Sequence, residues 1–231
     1  MKIGIIGADY LLKDAERIEK GVDLLIEDNI IISIGKNIQI TPDTTVLNAK
    51  GCAVIPGLVN SHTHLYQNFL KGASAGLKLE DWFNKDLFPL VKMILQEQKS
   101  GNKRINYLWS IIGSIEMIRG GVTCCQNMDV STVDALPGIL KAWNDIGIRG
   151  VGTVNLANRT GWVSSGLISE DHKLYGSIEK LIEQEHDPEY RIQIALGPST
   201  PFLCDENLLR WVSRTAEKYD LGIQIHVSET A

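Results

Sequence analysis

From Ala53 onward, apolar runs of a few residues alternate with longer segments charged along one face, and this alternation limits the fold more than any other feature. The apolar runs are Ala53 to His64, Val122 to Met128, Arg149 to Asn155, Arg191 to Pro198 and Gly222 to Val227. Between them, helical patterns cover Phe88 to Arg119, Thr132 to Ile146, Lys173 to Glu185 and Asp205 to Tyr219. Ile- and Val-rich strands alternating with helices make parallel β-α units whose sheet is covered on both faces. Polar residues gather at the C-terminal tips of these strands: His62 and His64, Asp129, Ser199 and His226. Active sites of closed β/α barrels lie on that rim, so the α/β fold expected is a TIM-like (β/α)8 barrel rather than an open sheet. A complete barrel has eight strands over about 250 residues. Only about the first five are expected here, in an incomplete barrel spanning 55–231.

Residues 1–54 have a different texture. Short strands at Met1 to Gly7, Asp23 to Glu27, Ile30 to Ile34 and Thr45 to Asn48 are separated by the turn signals Asp28-Asn29, Gly35-Lys36 and Pro42-Asp43. They are expected to form a small β-sandwich module, one half of a composite sandwich.

Composition excludes several classes of function. The net charge is -5 and the basic residues are scattered, so there is no nucleic-acid footprint and no polybasic membrane anchor. No apolar run approaches the ~20 residues of a transmembrane helix. Cys52, Cys124, Cys125 and Cys204 form no Cys-x-x-Cys pair, and the N-terminus lacks a charged segment followed by an apolar one. Both features point to the cytoplasm, and the expected partner is a small molecule.

The chemistry is concentrated in few residues. On a strand, residues two apart share a face, so His62 and His64 would project together while Thr63 points away. Two convergent imidazoles suit Zn²⁺ or Fe²⁺, although histidines at a strand-loop boundary can also be ordinary surface groups. His226 ends another apolar strand and would face the same rim; a lone histidine there can equally be a core residue. Glu229 follows three residues later and offers the carboxylate that a metal-activated water needs to move its protons. It reaches the site only if the strand ends near Ser228 and the chain turns. The Cys124-Cys125 pair has no nearby base and reads as inert thiol. There is no Gly-x-Ser-x-Gly elbow, no Walker A loop and no Gly-x-Gly-x-x-Gly after a strand.

Four segments, in order, resemble the amidohydrolase superfamily: Pro56-Gly57-Leu58-Val59-Asn60-Ser61-His62-Thr63-His64, Gly120-Gly121-Val122-Thr123, Gly197-Pro198-Ser199-Thr200-Pro201-Phe202, and His226-Val227-Ser228-Glu229-Thr230. The resemblance is to its branch of triazine hydrolases, methylthioadenosine/S-adenosylhomocysteine deaminases and guanine deaminases. It implies that His62, His64 and His226 bind one divalent metal ion, zinc first and iron second, and that Glu229 is the catalytic proton shuttle. The family also draws a histidine from strand six and an aspartate from strand eight, both of which would lie beyond Ala231. The bridging lysine of two-metal branches belongs where this chain reads Leu196-Gly197-Pro198-Ser199, which implies a mononuclear site.

The activity so implied is hydrolysis of a C–N bond in a nitrogen heterocycle such as a purine, pyrimidine or triazine. The alternatives are a triazine chlorohydrolase-type dehalogenase, and an inactive truncated or non-catalytic scaffold relative. Substrate-binding candidates are Trp82, Gln67 and Ser199. Trp82 can stack on a flat ring or simply pack in a loop helix. Ser199 stands where the methylthioadenosine-type enzymes usually carry a histidine, and Gln67 lies in a stretch closer to the triazine group. A homodimer is implied for the full-length form.

Overall fold

The computed structural model describes residues 1–102, 104–129, 135–159 and 172–229. They divide into two compact units, Met1–Gly57 and Leu58–Ala231.

The first unit is a five-stranded mixed sheet. β1 (Lys2–Leu12) pairs antiparallel with β2 (Ile18–Glu27), which pairs antiparallel with β3 (Ile30–Gly35). β4 (Thr44–Asn48) and β5 (Ala53–Val54) both run parallel to β1. Its small core is Leu11, Val22 and Leu24, with Ile5 and Val54 packed against them. Asp23 is buried and spends its carboxylate on backbone donors, accepting from Gly7 N–H at 2.8 Å and Ile38 N–H at 3.2 Å. Carboxylate bonds of this kind repay the desolvation of a buried charge.

The second unit is built on an all-parallel sheet in the order β10-β9-β8-β7-β6. Its elements in chain order are β6 (Leu58–Thr63), a 3-10 helix (Leu65–Leu70), α1 (Leu79–Trp82), a π-type turn (Phe83–Leu87), α2 (Phe88–Lys99) and α3 (Arg104–Arg119). Then come β7 (Val122–Asn127), α4 (Leu136–Ile146), β8 (Arg149–Leu156), α5 (His172–Glu185), β9 (Ile192–Pro198), α6 (Glu206–Tyr219) and β10 (Gly222–Ile223). Every neighbouring pair is parallel, which is the partial barrel expected of repeated β-α units. Among the described residues, no helix is long and apolar enough to cross a membrane.

Central strands carry the core. In β9, six of the seven residues are buried, the signature of a parallel strand covered on both faces. Trp143 of α4 is fully buried and its ring packs against β8 at Gly150. Glycine at 150 and 152 permits that approach: a Cβ at Gly150 would stand 2.5 Å from the Trp143 ring, and one at Gly152 would stand 2.7 Å from Leu136.

Three elements differ from the sequence pattern. The run Ala53 to His64 divides in two, β5 joining the first sheet and β6 the second, because Pro56 offers no N–H to a ladder and Gly57 favours a break. The helical pattern Phe88 to Arg119 is two helices, since the chain turns through Ser100-Gly101, with Gly101 at φ 89. β10 has paired strand geometry only at Gly222 and Ile223, yet Gln224 N–H still donates to Leu196 carbonyl at 2.9 Å and His226 N–H to Ser199 carbonyl at 3.1 Å. The backbone beyond β10 therefore stays anchored to β9 and its continuation. Of the expected helix Thr132 to Ile146, residues 132–134 lie outside the described residues.

Candidate metal centre

β6 ends at Thr63, and His64 stands at the entry to the 3-10 helix that follows. The tip of β7 grips this junction. Met128 N–H donates to Thr63 carbonyl at 2.9 Å, Leu65 N–H donates to Asn127 Oδ1 at 2.9 Å, and Tyr66 N–H donates to Asp129 Oδ1 at 3.3 Å. Asp129 is completely buried, and its other oxygen accepts from Trp109 Nε1 at 2.7 Å. Asp129, expected at a strand tip, thus works behind His64 rather than on the open rim.

The three histidine rings meet at their Nε2 atoms. His62 Nε2 is 3.1 Å from His64 Nε2, which is 3.3 Å from His226 Nε2. All three ligand atoms lie within 4.8 Å of one another. The Nδ1 atoms point outward to partners. That of His64 donates to Met128 carbonyl, and that of His226 donates to Ser199 carbonyl at 2.9 Å. A carbonyl oxygen only accepts, so each of these rings has a proton on Nδ1, and its neutral form presents an unprotonated Nε2 to the cluster. Imidazole nitrogens at about 2.0–2.1 Å from a tetrahedral ion lie about 3.3 Å apart, so the spacing suits a metal. The cluster can hold a metal ion.

The electrostatics agree with ligation. Burial lowers the pKa of His64 to about 4, aided by the two neighbouring imidazoles, while the bond to Met128 pulls the other way. His62 is also lowered, first by desolvation and then by His226, against an opposing pull from Glu229. Neutral rings are the form that binds a cation.

Glu229 follows Ser228, which adopts a left-handed φ of 57. The chain therefore turns after the strand, the condition for the carboxylate to approach the rim, and its charge is felt at His62. Ser199 contributes through its carbonyl, which orients His226. Gln67 lies on the 3-10 helix, half-buried, with its N–H on the His64 carbonyl at 3.0 Å. Trp82 packs against the hydrophobic core and Phe83, with ring centroids 5.5 Å apart.

Sequence reasoning passed over Gln224. Its amide Nε2 lies 2.7 Å from His62 Nδ1 and its Oε1 accepts from Thr153 Oγ1 at 2.9 Å. The available signal was its place two residues before His226, on the same strand face.

The chain is similar to several known proteins. The chain is 32% identical over 228 residues to a 5'-deoxyadenosine deaminase of Methanococcus vannielii, covering 95% of this chain and 49% of that protein. It is 33% identical over 211 residues to a 5-methylthioadenosine/S-adenosylhomocysteine deaminase of Pyrococcus furiosus, covering 90% of this chain and 46% of that protein. The chain thus spans about half the length of the curated relatives it matches. In fold it is similar to the zinc complex of an atrazine chlorohydrolase from Arthrobacter aurescens, with a TM-score of 0.83 at 21% identity over 98% of this chain and 53% of that one. It is also similar to E. coli guanine deaminase, with a TM-score of 0.78 at 19% identity over 99% of this chain and 54% of that one. The model of the amidohydrolase family matches residues 53–231. The chain belongs to the amidohydrolase family.

Proposed function

We propose that this chain provides the metal-holding half of an aminohydrolase that breaks a C–N bond in a small nitrogen heterocycle, with His62, His64 and His226 holding one zinc ion. The observation that carries this reading is the convergence of three Nε2 atoms, two of them stripped of their proton by backbone carbonyls behind the rings. The deaminase names of the relatives at 32% and 33% identity support the choice of reaction.

A zinc ion bound here supplies Lewis-acid activation of water near neutral pH. The chain's own residues do the remainder of what this half can do. Met128 and Ser199 fix the imidazole planes of His64 and His226, so those two ligands need no reorientation on loading. Glu229 is the carboxylate that would take a proton from water as the water oxygen bonds to the amino-bearing ring carbon and hand it to the neighbouring ring nitrogen; the tetrahedral carbon then expels ammonia, the added hydroxyl's proton leaving with the amine. The resemblance assigns two further groups to strands six and eight, which these five strands do not include.

The test is elemental analysis of this chain and of His62→Ala, each purified without chelator. About one equivalent of zinc, lost on substitution, is the expected result; a metal-free parent protein would remove the reading. For the full enzyme, a panel of 5'-deoxyadenosine, guanine and a chlorotriazine separates ammonia release from chloride release.

A further inference from the structure

We propose that Gln224 is a positioning residue for this centre: its side-chain amide, backed by Thr153, decides which nitrogen of His62 is free to face the cluster. The inference rests on the three-histidine reading above. His64 and His226 lean on main-chain carbonyls, which accept and never donate. His62 leans on an amide, which can present either end.

The backbone holds that amide in place. Gln224 N–H is tied to Leu196 carbonyl at 2.9 Å, and Thr153, buried in β8, receives the far end of the side chain at 2.9 Å. With the amide nitrogen 2.7 Å from His62 Nδ1, the ring accepts at Nδ1 and keeps its proton on Nε2, directed at His64 Nε2 3.1 Å away. In this arrangement the Nε2 of a neutral His62 has no lone pair to offer an ion. Turning the amide through half a revolution brings Oε1 to His62, requires a proton on Nδ1 and frees Nε2. The imidazole stays neutral: one proton leaves Nε2 and one reaches Nδ1, exchanged through water, to which the exposed His62 has access. The Thr153 hydroxyl donates to Oε1 in the first arrangement and accepts from the amide in the second, so it satisfies both. A hydroxyl can donate or accept, so it can back the amide in either position.

Two variants of similar length divide the possibilities. Gln224→Glu can only accept and holds His62 with its proton on Nδ1; Gln224→Met can do neither. Zinc and cobalt affinity of this chain, measured by competition with a chromophoric chelator, should be equal to or tighter than the parent in Gln224→Glu. In Gln224→Met it should be weaker by roughly 10–100-fold, the usual cost of losing a group that orients a ligand. Two-dimensional ¹H–¹⁵N spectra of the metal-free protein should report His62 protonated on Nε2 in the parent and on Nδ1 in Gln224→Glu. Equal affinities in all three proteins, or equal weakening in both variants with unchanged circular dichroism, would overturn the proposal, as would a His62 tautomer indifferent to Gln224→Glu. Failure of the parent to bind any metal would instead overturn the three-histidine reading, and the tautomer measurement would still decide the role of Gln224.

Discussion

His226 is held twice by one atom of Ser199: its backbone N–H and its ring Nδ1 both donate to the Ser199 carbonyl, at 3.1 and 2.9 Å. The residue that follows one strand thereby fixes both the position and the Nδ1 proton of the histidine that follows the next.

Because the acceptor is main chain, Ser199→Ala should leave zinc affinity within about twofold of the parent, well short of the roughly 10–100-fold cost of losing an orienting partner. A loss near that size would mean that the hydroxyl, and not the carbonyl, does the orienting. In the full enzyme, a raised KM with kcat unchanged in the same variant would identify the hydroxyl as a substrate contact.

Asp129 supplies a pH dependence of stability. Burial raises its pKa from 3.8 to about 6, against opposing hydrogen bonds that include those from Tyr66 N–H and Trp109. A folded-state pKa above the unfolded value means that the folded form holds the proton more tightly. Its stabilising contribution is complete below about pH 4 and is lost as pH rises through about 6, by roughly 3 kcal/mol at most. The stability difference between the parent and Asp129→Asn, from urea unfolding between pH 4.5 and 7, should therefore drift with pH in the parent's disfavour as pH rises. Asn also turns an NH2 toward one of two donors, so the variant should be less stable at the acid end. A pH-independent difference would mean that Asp129 keeps an ordinary carboxylate pKa in the fold.

The Trp143 ring lies where a Cβ on Gly150 would stand, 2.5 Å from its nearest carbon. Gly150→Ala should cost about 1–3 kcal/mol by overpacking, and Trp143→Ala about 3–5 kcal/mol by the cavity it leaves. Combining Gly150→Ala with Trp143→Leu should recover part of the loss, because the smaller side chain vacates the clash. Denaturant midpoints of the two single variants and the double variant measure that coupling, and strict additivity would show that the ring has room to move aside.

The barrel texture was legible because parallel strands covered on both faces are written as continuous apolar runs, as β9 is. The closeness of the histidines could likewise be anticipated: period two puts His62 and His64 on one face, and strand tips of one parallel sheet share a rim. The division of Ala53 to His64 was signalled by Pro56, but the local pattern does not say that two strands separated by only three residues belong to different sheets. The break at Gly101 was hidden by apolar periodicity continuing on both sides of it. Gln224 was read only as part of an apolar strand, since its partner His62 stands 162 positions away and only the sheet brings them together. Trp82 and Gln67 were singled out by segment resemblance; the structure gives Trp82 a packing partner in Phe83 and Gln67 a backbone bond at His64.

In the proposed centre Glu229, unlike the histidines, is not a metal ligand. Removing its charge should leave the ligand set intact, so Glu229→Gln should retain the parent's metal content while turnover by the full enzyme falls by roughly 10²–10⁴-fold, the range of a general acid–base group. His62 provides an internal control, because the Glu229 carboxylate opposes the lowering of its pKa. Replacing the carboxylate with an amide should move the His62 titration to lower pH in the metal-free chain, read from its ring Cε1 proton. Loss of metal together with activity would make Glu229 a ligand instead, and an unmoved His62 titration would mean that the turn at Ser228 carries the carboxylate away from the rim.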